Sequence, residues 1–265
     1  MKRLLLVVGA AISLVAGIAL VYLLRLTAPV EVSNTPPIAA TLVVPTRTAV
    51  TGESERAPTR NAAPAATTPT GTTEQAVATI PDPAPAARVY RIDPDVSQAS
   101  YRVGETFFDQ RGFVIAVGTT NAVAGDILVD PANLPASQLG EIVVDISQLR
   151  TDEPMRDNAI RRQWLQSATY PLARFNNAQI SGIPATATEG QPFKFQISGD
   201  MTVREVTKPV TWEAETTLDG DTLRGIATTR LKMSEFGIEP PRLMSLEVED
   251  DVELTLEFVA NAVNQ

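Results

Sequence analysis

Alternation of apolar and polar side chains dominates the chain between Phe193 and Leu218. Phe193, Phe195, Ile197, Met201 and Val203 fall on one side; Lys194, Gln196, Ser198, Asp200 and Thr202 fall on the other. After a polar corner, Arg204-Glu205-Val206-Thr207-Lys208-Pro209, the pattern resumes. Val210, Trp212, Ala214 and Leu218 then oppose Thr211, Glu213 and Glu215. A repeat of two residues predicts antiparallel strands with one buried and one wet face.

Similar runs recur from Val89 onward, predicting strands near 98–104, 112–119, 122–129, 140–146, 171–180, 192–203, 209–218, 222–232 and 247–260. Turn-forming stretches separate them, among them Thr119-Thr120-Asn121, Asp130-Pro131-Ala132-Asn133 and Ser181-Gly182-Ile183-Pro184. Asp219-Gly220-Asp221 has the form of a tight hairpin turn, because Gly and Asp tolerate the positive φ it needs. In the last strand Leu246, Val248, Val252, Leu254, Leu256 and Phe258 form the inward row. Asp250 interrupts that row and is expected at a strand end, a bulge or a polar partner.

One segment changes period. From Asp157 to Gln166, Ile160, Trp164 and Leu165 fall at helical spacing, with Thr151 or Asp152 available as a cap. The expected architecture is all-β: an antiparallel barrel of about eight strands with one short inserted helix. A barrel removes exposed edges, and at this size its interior holds side chains or one small ligand.

Composition divides the chain of 265 residues into three parts. Lys2 and Arg3 precede an uncharged run from Leu4 to Leu24, about the length of a bilayer-spanning helix. The apolar stretch continues past the small residues at Ala16–Ala19, so residues 1–26 read as an uncleaved signal-anchor, with a cleaved signal as the alternative. The positive-inside rule then keeps the N-terminus cytoplasmic and exports the rest. Residues 27–88 hold half of the chain's prolines and many threonines, a composition that predicts a disordered linker. Residues 89–262 are left as the folded domain, large enough to bury a core without metal or disulfides.

The net charge of −9 disfavours nucleic acid as a partner. The chain has no Cys and no His, which removes thiol chemistry, the commonest general base and the commonest transition-metal ligand.

Several stretches, taken in order, resemble the YceI-like family of lipocalin-like, polyisoprenoid-binding proteins. They are Tyr90-Arg91-Ile92-Asp93, Ile142 through Asp152, Arg156-Asp157-Asn158-Ala159-Ile160-Arg161, Tyr170-Pro171-Leu172-Ala173-Arg174-Phe175, Gly199 through Val210, and Met233-Ser234-Glu235-Phe236-Gly237-Ile238. Two positions depart from the family pattern: Asp93-Pro94-Asp95-Val96-Ser97 lacks a His, and Glu205 stands where the corner usually has Gly.

The resemblance implies a lipid-binding protein with a polyprenyl chain or isoprenoid quinone in the barrel, and no other cofactor. Such a ligand needs an elongated, mostly apolar cavity. The inward candidates are Phe113, Phe175, Phe193, Phe195, Ile197, Met201, Trp212, Met233, Leu254 and Leu256. The same residues would fill the core of a structural or partner-binding barrel, and whether that barrel forms a homodimer stays open. Arg156, Asp157, Arg161 and Arg162 either guard a mouth or form a solvated helix face. The acidic group Glu247, Glu249, Asp250, Asp251 and Glu253 lacks a calcium-type loop and reads as an exposed strand face. No enzyme is expected: His- and Cys-based triads are unavailable, and Asp152, Glu153 and Asp157 share one short segment.

Overall fold

The structure, a computed structural model, describes residues 37–42, 87–109 and 111–263. The strands are β1 (Arg88–Ile92), β2 (Gln98–Phe107), β3 (Gly112–Thr120), β4 (Val123–Ala124), β5 (Asp126–Val129), β6 (Gln138–Leu139) and β7 (Ile142–Asp145). A short helix, α1 (Pro154–Ala159), precedes β8 (Leu172–Ser181), β9 (Pro192–Val203), β10 (Val206–Asp219), β11 (Thr222–Lys232), β12 (Arg242–Leu243) and β13 (Leu246–Ala262).

The strands form one 13-stranded sheet whose main path runs β4-β7-β8-β9-β10-β11-β13-β1-β5-β6, with every pairing antiparallel. β11 takes one edge of β13. On the other edge β2 pairs with residues 246–257 and β1 with residues 260–262, one after the other. Beyond β2 lies β3. The sheet curls far enough for the end of β3 to meet the segment after β7, where Thr119 and Arg150 exchange backbone hydrogen bonds of 2.9 and 3.0 Å. The expected antiparallel barrel with one short helix is present as a curled, half-barrel sheet, in which β2, β10 and β13 are longer than expected and the short strands β4, β6 and β12 are added.

The long strands match the alternation. Phe193, Phe195, Ile197, Met201 and Val203 of β9 turn inward, and Trp212, Ala214, Thr216 and Leu218 of β10 lie on the same concave face. The polar corner shrinks to the two residues Arg204 and Glu205, with Arg204 at φ 57° and Val203 paired to Val206. Pro209 thus lies inside β10, in a stretch bonded on one side: β11 pairing begins at Glu213. The β10–β11 hairpin turns where expected, with Gly220 at φ 56°. Asp250 sits at an irregularity in β13, where the register against β2 shifts between Val248 and Val252. Its carboxylate accepts from the Ser234 amide at 2.8 Å and hydroxyl at 2.6 Å.

The helix starts earlier than its apolar spacing predicts, because Pro154 takes the first helical position and Glu153, not Thr151 or Asp152, accepts from the Met155 amide. After Ala159 the backbone widens into a π-turn through Trp164. Asp157 and Arg161 are buried and hold this helical segment to the preceding corner. Asp157 accepts from the amide and hydroxyl of Thr151, and Arg161 donates to the carbonyls of Ser147 and Leu149.

Residues 4–24 lie outside the described residues, and among the described ones no helix is long and apolar enough to cross a membrane. Of the expected linker, residues 37–42 and 87–88 are described: 37–42 lie against the sheet, and Arg88 already belongs to β1, one residue before the expected domain boundary. The Ala40 amide donates to Glu141 at 3.3 Å and the Leu42 amide to Asp126 at 3.2 Å. The remainder of the linker, 27–36 and 43–86, is likewise outside the described residues.

Candidate functional site

The side chains on the concave face of the sheet do not fill the space it curls around. The sheet encloses a cavity of about 660 Å³, within the range of pockets that hold one elongated small molecule. Its wall is built from inward rows of long strands. β9 contributes Phe193, Phe195, Ile197, Met201 and Val203; β10 contributes Trp212, Ala214 and Thr216. β13 adds Leu246, Val248, Val252, Leu254, Leu256 and Phe258, and β2 adds Ala99, Tyr101, Val103, Glu105 and Phe107. The α1 segment closes part of one side with Met155, Arg156, Ile160, Trp164 and Leu165.

Aromatic side chains set the shape of the wall. Phe193 and Phe195 stack with centroids 5.8 Å apart, and Phe175 meets Trp212 edge-to-face at 6.2 Å. Phe175 lies over Gly199, where a Cβ would come within 2.6 Å of its ring and 2.7 Å of the Asn176 carbonyl. The only side chain that fits there is hydrogen.

Polar groups are few and concentrated near α1. Glu105 points inward from β2 and is buried, and Arg156 grips it with two hydrogen bonds of 3.0 and 2.9 Å. A third bond runs from Arg156 to Asp152 at 2.6 Å. Burial alone would lower the basicity of Arg156, but the bonds to Glu105 and Asp152 outweigh it and hold the guanidinium charged. Tyr101 lies on the same row as Glu105. Burial pushes its hydroxyl up and keeps it protonated, and that hydroxyl, the Trp212 indole N–H and the Thr216 hydroxyl have no hydrogen-bond partner among the described residues.

Residues 90–260 match the family described as YceI-like domain. The chain belongs to this family. A UPF0312 protein of Vibrio parahaemolyticus is 30% identical over 155 residues, covering 56% of this chain and 76% of the relative. Protein YceI of Escherichia coli O157:H7 is 27% identical over 159 residues, covering 57% and 76%. Among solved structures, BcnA of Burkholderia cenocepacia has the same fold, with a TM-score of 0.53 at 20% identity over 64% of this chain and 99% of that one.

Within this YceI-like domain nine of the ten sequence-derived candidates line the cavity: Phe175, Phe193, Phe195, Ile197, Met201, Trp212, Met233, Leu254 and Leu256. Phe113 does not. It sits on the outer face of β3, 57% exposed, with Ile115 and Val117 exposed beside it. The inner face of β3 is instead Ala116 and Gly118, because the Tyr101 ring occupies the space where a Gly118 Cβ would stand.

Alternation along Ala99, Tyr101, Val103, Glu105 and Phe107 carried the signal for β2, and its inward charge is the feature that sequence reasoning passed over. Of the charged helix residues, Arg156 lines the cavity, whereas Asp157, Arg161 and Arg162 do not. The acidic run on β13 faces outward, with Glu247 beside Arg242, Asp251 beside Lys232 and Glu253 beside Arg230.

Proposed function

We propose that this YceI-like protein is a membrane-tethered, extracytoplasmic lipid-binding protein that holds one long isoprenoid chain, a polyprenyl lipid or an isoprenoid quinone, in the cavity of its curled sheet. The observation that carries this reading is the cavity itself. Inward rows on β2, β9, β10 and β13 that would fill an ordinary core leave about 660 Å³ between them, walled by aliphatic and aromatic groups. Burying an apolar chain there removes it from water at a gain of roughly 25 cal/mol per Å² of apolar surface. The methionines Met201 and Met233 suit a flexible guest, since their unbranched side chains adapt to irregular contours.

The uncharged run Leu4–Leu24, with Lys2 and Arg3 before it, supports the tether and its orientation. We take the domain as a carrier or store and not as a catalyst, since the most buried charged pair at its wall, Glu105 and Arg156, is engaged with itself. A structural barrel without a lipid ligand is the poorer reading, because it has no use for an unfilled interior. The test is organic extraction of the full-length protein purified from membranes, followed by mass spectrometry. An isoprenoid-type mass in near-stoichiometric amount is expected. Recovery of no lipid, even after incubation with lipid vesicles, would sink the reading.

A further inference from the structure

Among the described residues, four of the ten large exposed apolar side chains lie at one end of the cavity. The β2–β3 and β12–β13 turns meet there, joined by the Phe108 amide donating to the Ser245 carbonyl at 3.0 Å. Phe108 is 62% exposed, Leu243 59%, and Met244 wholly so. Across from them stands Met155 of α1, 79% exposed, next to the Arg156 that reaches Glu105 of β2. Met155 and Leu243 are also cavity-lining residues, so the apolar wall continues without a break into the exposed rim. Soluble proteins rarely leave such a group of side chains in water unless it meets another apolar surface.

We propose that this rim docks on a lipid bilayer and inserts Phe108, Leu243, Met244 and Met155 into its surface, so that the cavity opens directly toward hydrocarbon. The inference rests on the lipid-binding reading and adds the surface through which the ligand passes. Three observations select a bilayer over a protein partner. The rim is continuous with a wall suited to an apolar chain. The proposed anchor at Leu4–Leu24 would keep the domain close to a bilayer. The rim's cations are each taken up by carboxylates, Arg111 by Asp109, Arg242 by Glu247, and Arg156 by Glu105 and Asp152, which with Glu153 leaves a small acidic excess and no basic one. A surface with apolar tips and no excess of basic groups fits the interfacial zone of a bilayer and does not depend on anionic headgroups. Docking to phosphatidylcholine should therefore persist at high salt.

Because the chain has no Cys, single cysteines report on each end separately. The full chain carrying Met244→Cys or Asp221→Cys is labelled with an environment-sensitive fluorophore and reconstituted into phosphatidylcholine vesicles containing brominated lipid. Asp221 lies in the β10–β11 turn beside Arg88, at the far end of β13 from the rim. Quenching at position 244 and none at 221 is expected. Phe108→Ser with Leu243→Ser should weaken docking by about tenfold or more, since burying one such side chain is worth at least that factor. Absent quenching at 244, or equal quenching at 244 and 221, overturns the proposal. Lipid content of the same preparations is measured by extraction: a rim failure leaves it intact, whereas failure of the lipid-binding reading empties the protein.

Discussion

Arg156 holds Glu105 in a two-pronged grip across the boundary between α1 and β2, with bonds of 3.0 and 2.9 Å. The Glu105 side chain is 6% exposed and that of Arg156 18%, so the carboxylate depends on this partner far more than the guanidinium does. The pair fastens the helical segment to the side of the cavity.

Breaking this pair from one side should cost far more than replacing it. Arg156→Met leaves a buried carboxylate without its partner and should destabilise the domain by about 3–5 kcal/mol. The double change Arg156→Met with Glu105→Leu should recover most of that loss. Urea unfolding of the four proteins in the cycle measures it. Equal destabilisation in the single and double variants would show that the helix is held by other contacts.

Gly199 fixes how close β9 approaches the Phe175 ring. A methyl group there meets both that ring and the Asn176 carbonyl below 3 Å, and the backbone atom cannot swing aside. Gly199→Ala should therefore destabilise by about 1–3 kcal/mol. The displaced Phe175 should also reduce the lipid recovered by extraction. An unchanged unfolding midpoint would contradict the close packing described here.

The legible part of this protein is its long strands, and the reason is that their two faces differ. In β9, aromatic and aliphatic residues alternate with Lys194, Gln196 and Ser198, so the inward row is decided by the sequence pattern alone. In β3 both faces are apolar: Phe113, Ile115 and Val117 on one, Val114, Ala116 and Gly118 on the other. The choice between them is made by Tyr101, a neighbour on β2 whose ring needs the gap at Gly118. Glu105 was hidden for a related reason. Alternation assigns it inward, but the cation that makes this tolerable lies 51 residues away on α1. Short strands such as β6 and β12 have too few residues to show a period.

Both tryptophans of the chain, Trp164 and Trp212, line the cavity. Binding of an isoprenoid quinone should therefore quench most of the intrinsic tryptophan fluorescence, whereas a polyprenyl alcohol of the same length should leave it bright. Trp164→Phe and Trp212→Phe, measured one at a time, separate the two ends of the contact. Quenching that survives unchanged in both single variants is consistent with a guest along the whole wall. A quinone that binds without quenching either residue would place it outside the cavity.

Narrowing the cavity should remove the ligand without unfolding the domain. Ala214 is buried on β10 opposite Phe195 and lines the cavity. Ala214→Phe would project a ring from beside Phe195 into space that the guest is proposed to occupy. Extraction should then recover at least about tenfold less lipid, the factor expected when a guest loses 1.4 kcal/mol or more, while the unfolding midpoint stays within about 1 kcal/mol of the parent. Retained lipid in a folded variant would mean that the guest lies elsewhere.

The contact between residues 37–42 and the sheet should be sensitive to acid. Glu141 accepts from the Ala40 amide at 3.3 Å and from Arg174 at 2.7 Å. Burial alone would raise its carboxyl, but the bonds from Arg174, Ala40 and Asn176 prevail and hold it below the ordinary value of 4.5. A carboxyl depressed in the folded state favours that state above its unfolded value, and the advantage disappears as pH falls through the folded one. At neutral pH the Ala40 amide should thus be protected from hydrogen exchange. Protection, relative to the intrinsic rate at each pH, should fall as the solution is taken below 4.5. Glu141→Gln should abolish that pH dependence, because an amide keeps an acceptor oxygen and has no proton to gain. If protection at Ala40 were flat across the same range in the parent protein, Glu141 would not be what holds this segment to the sheet.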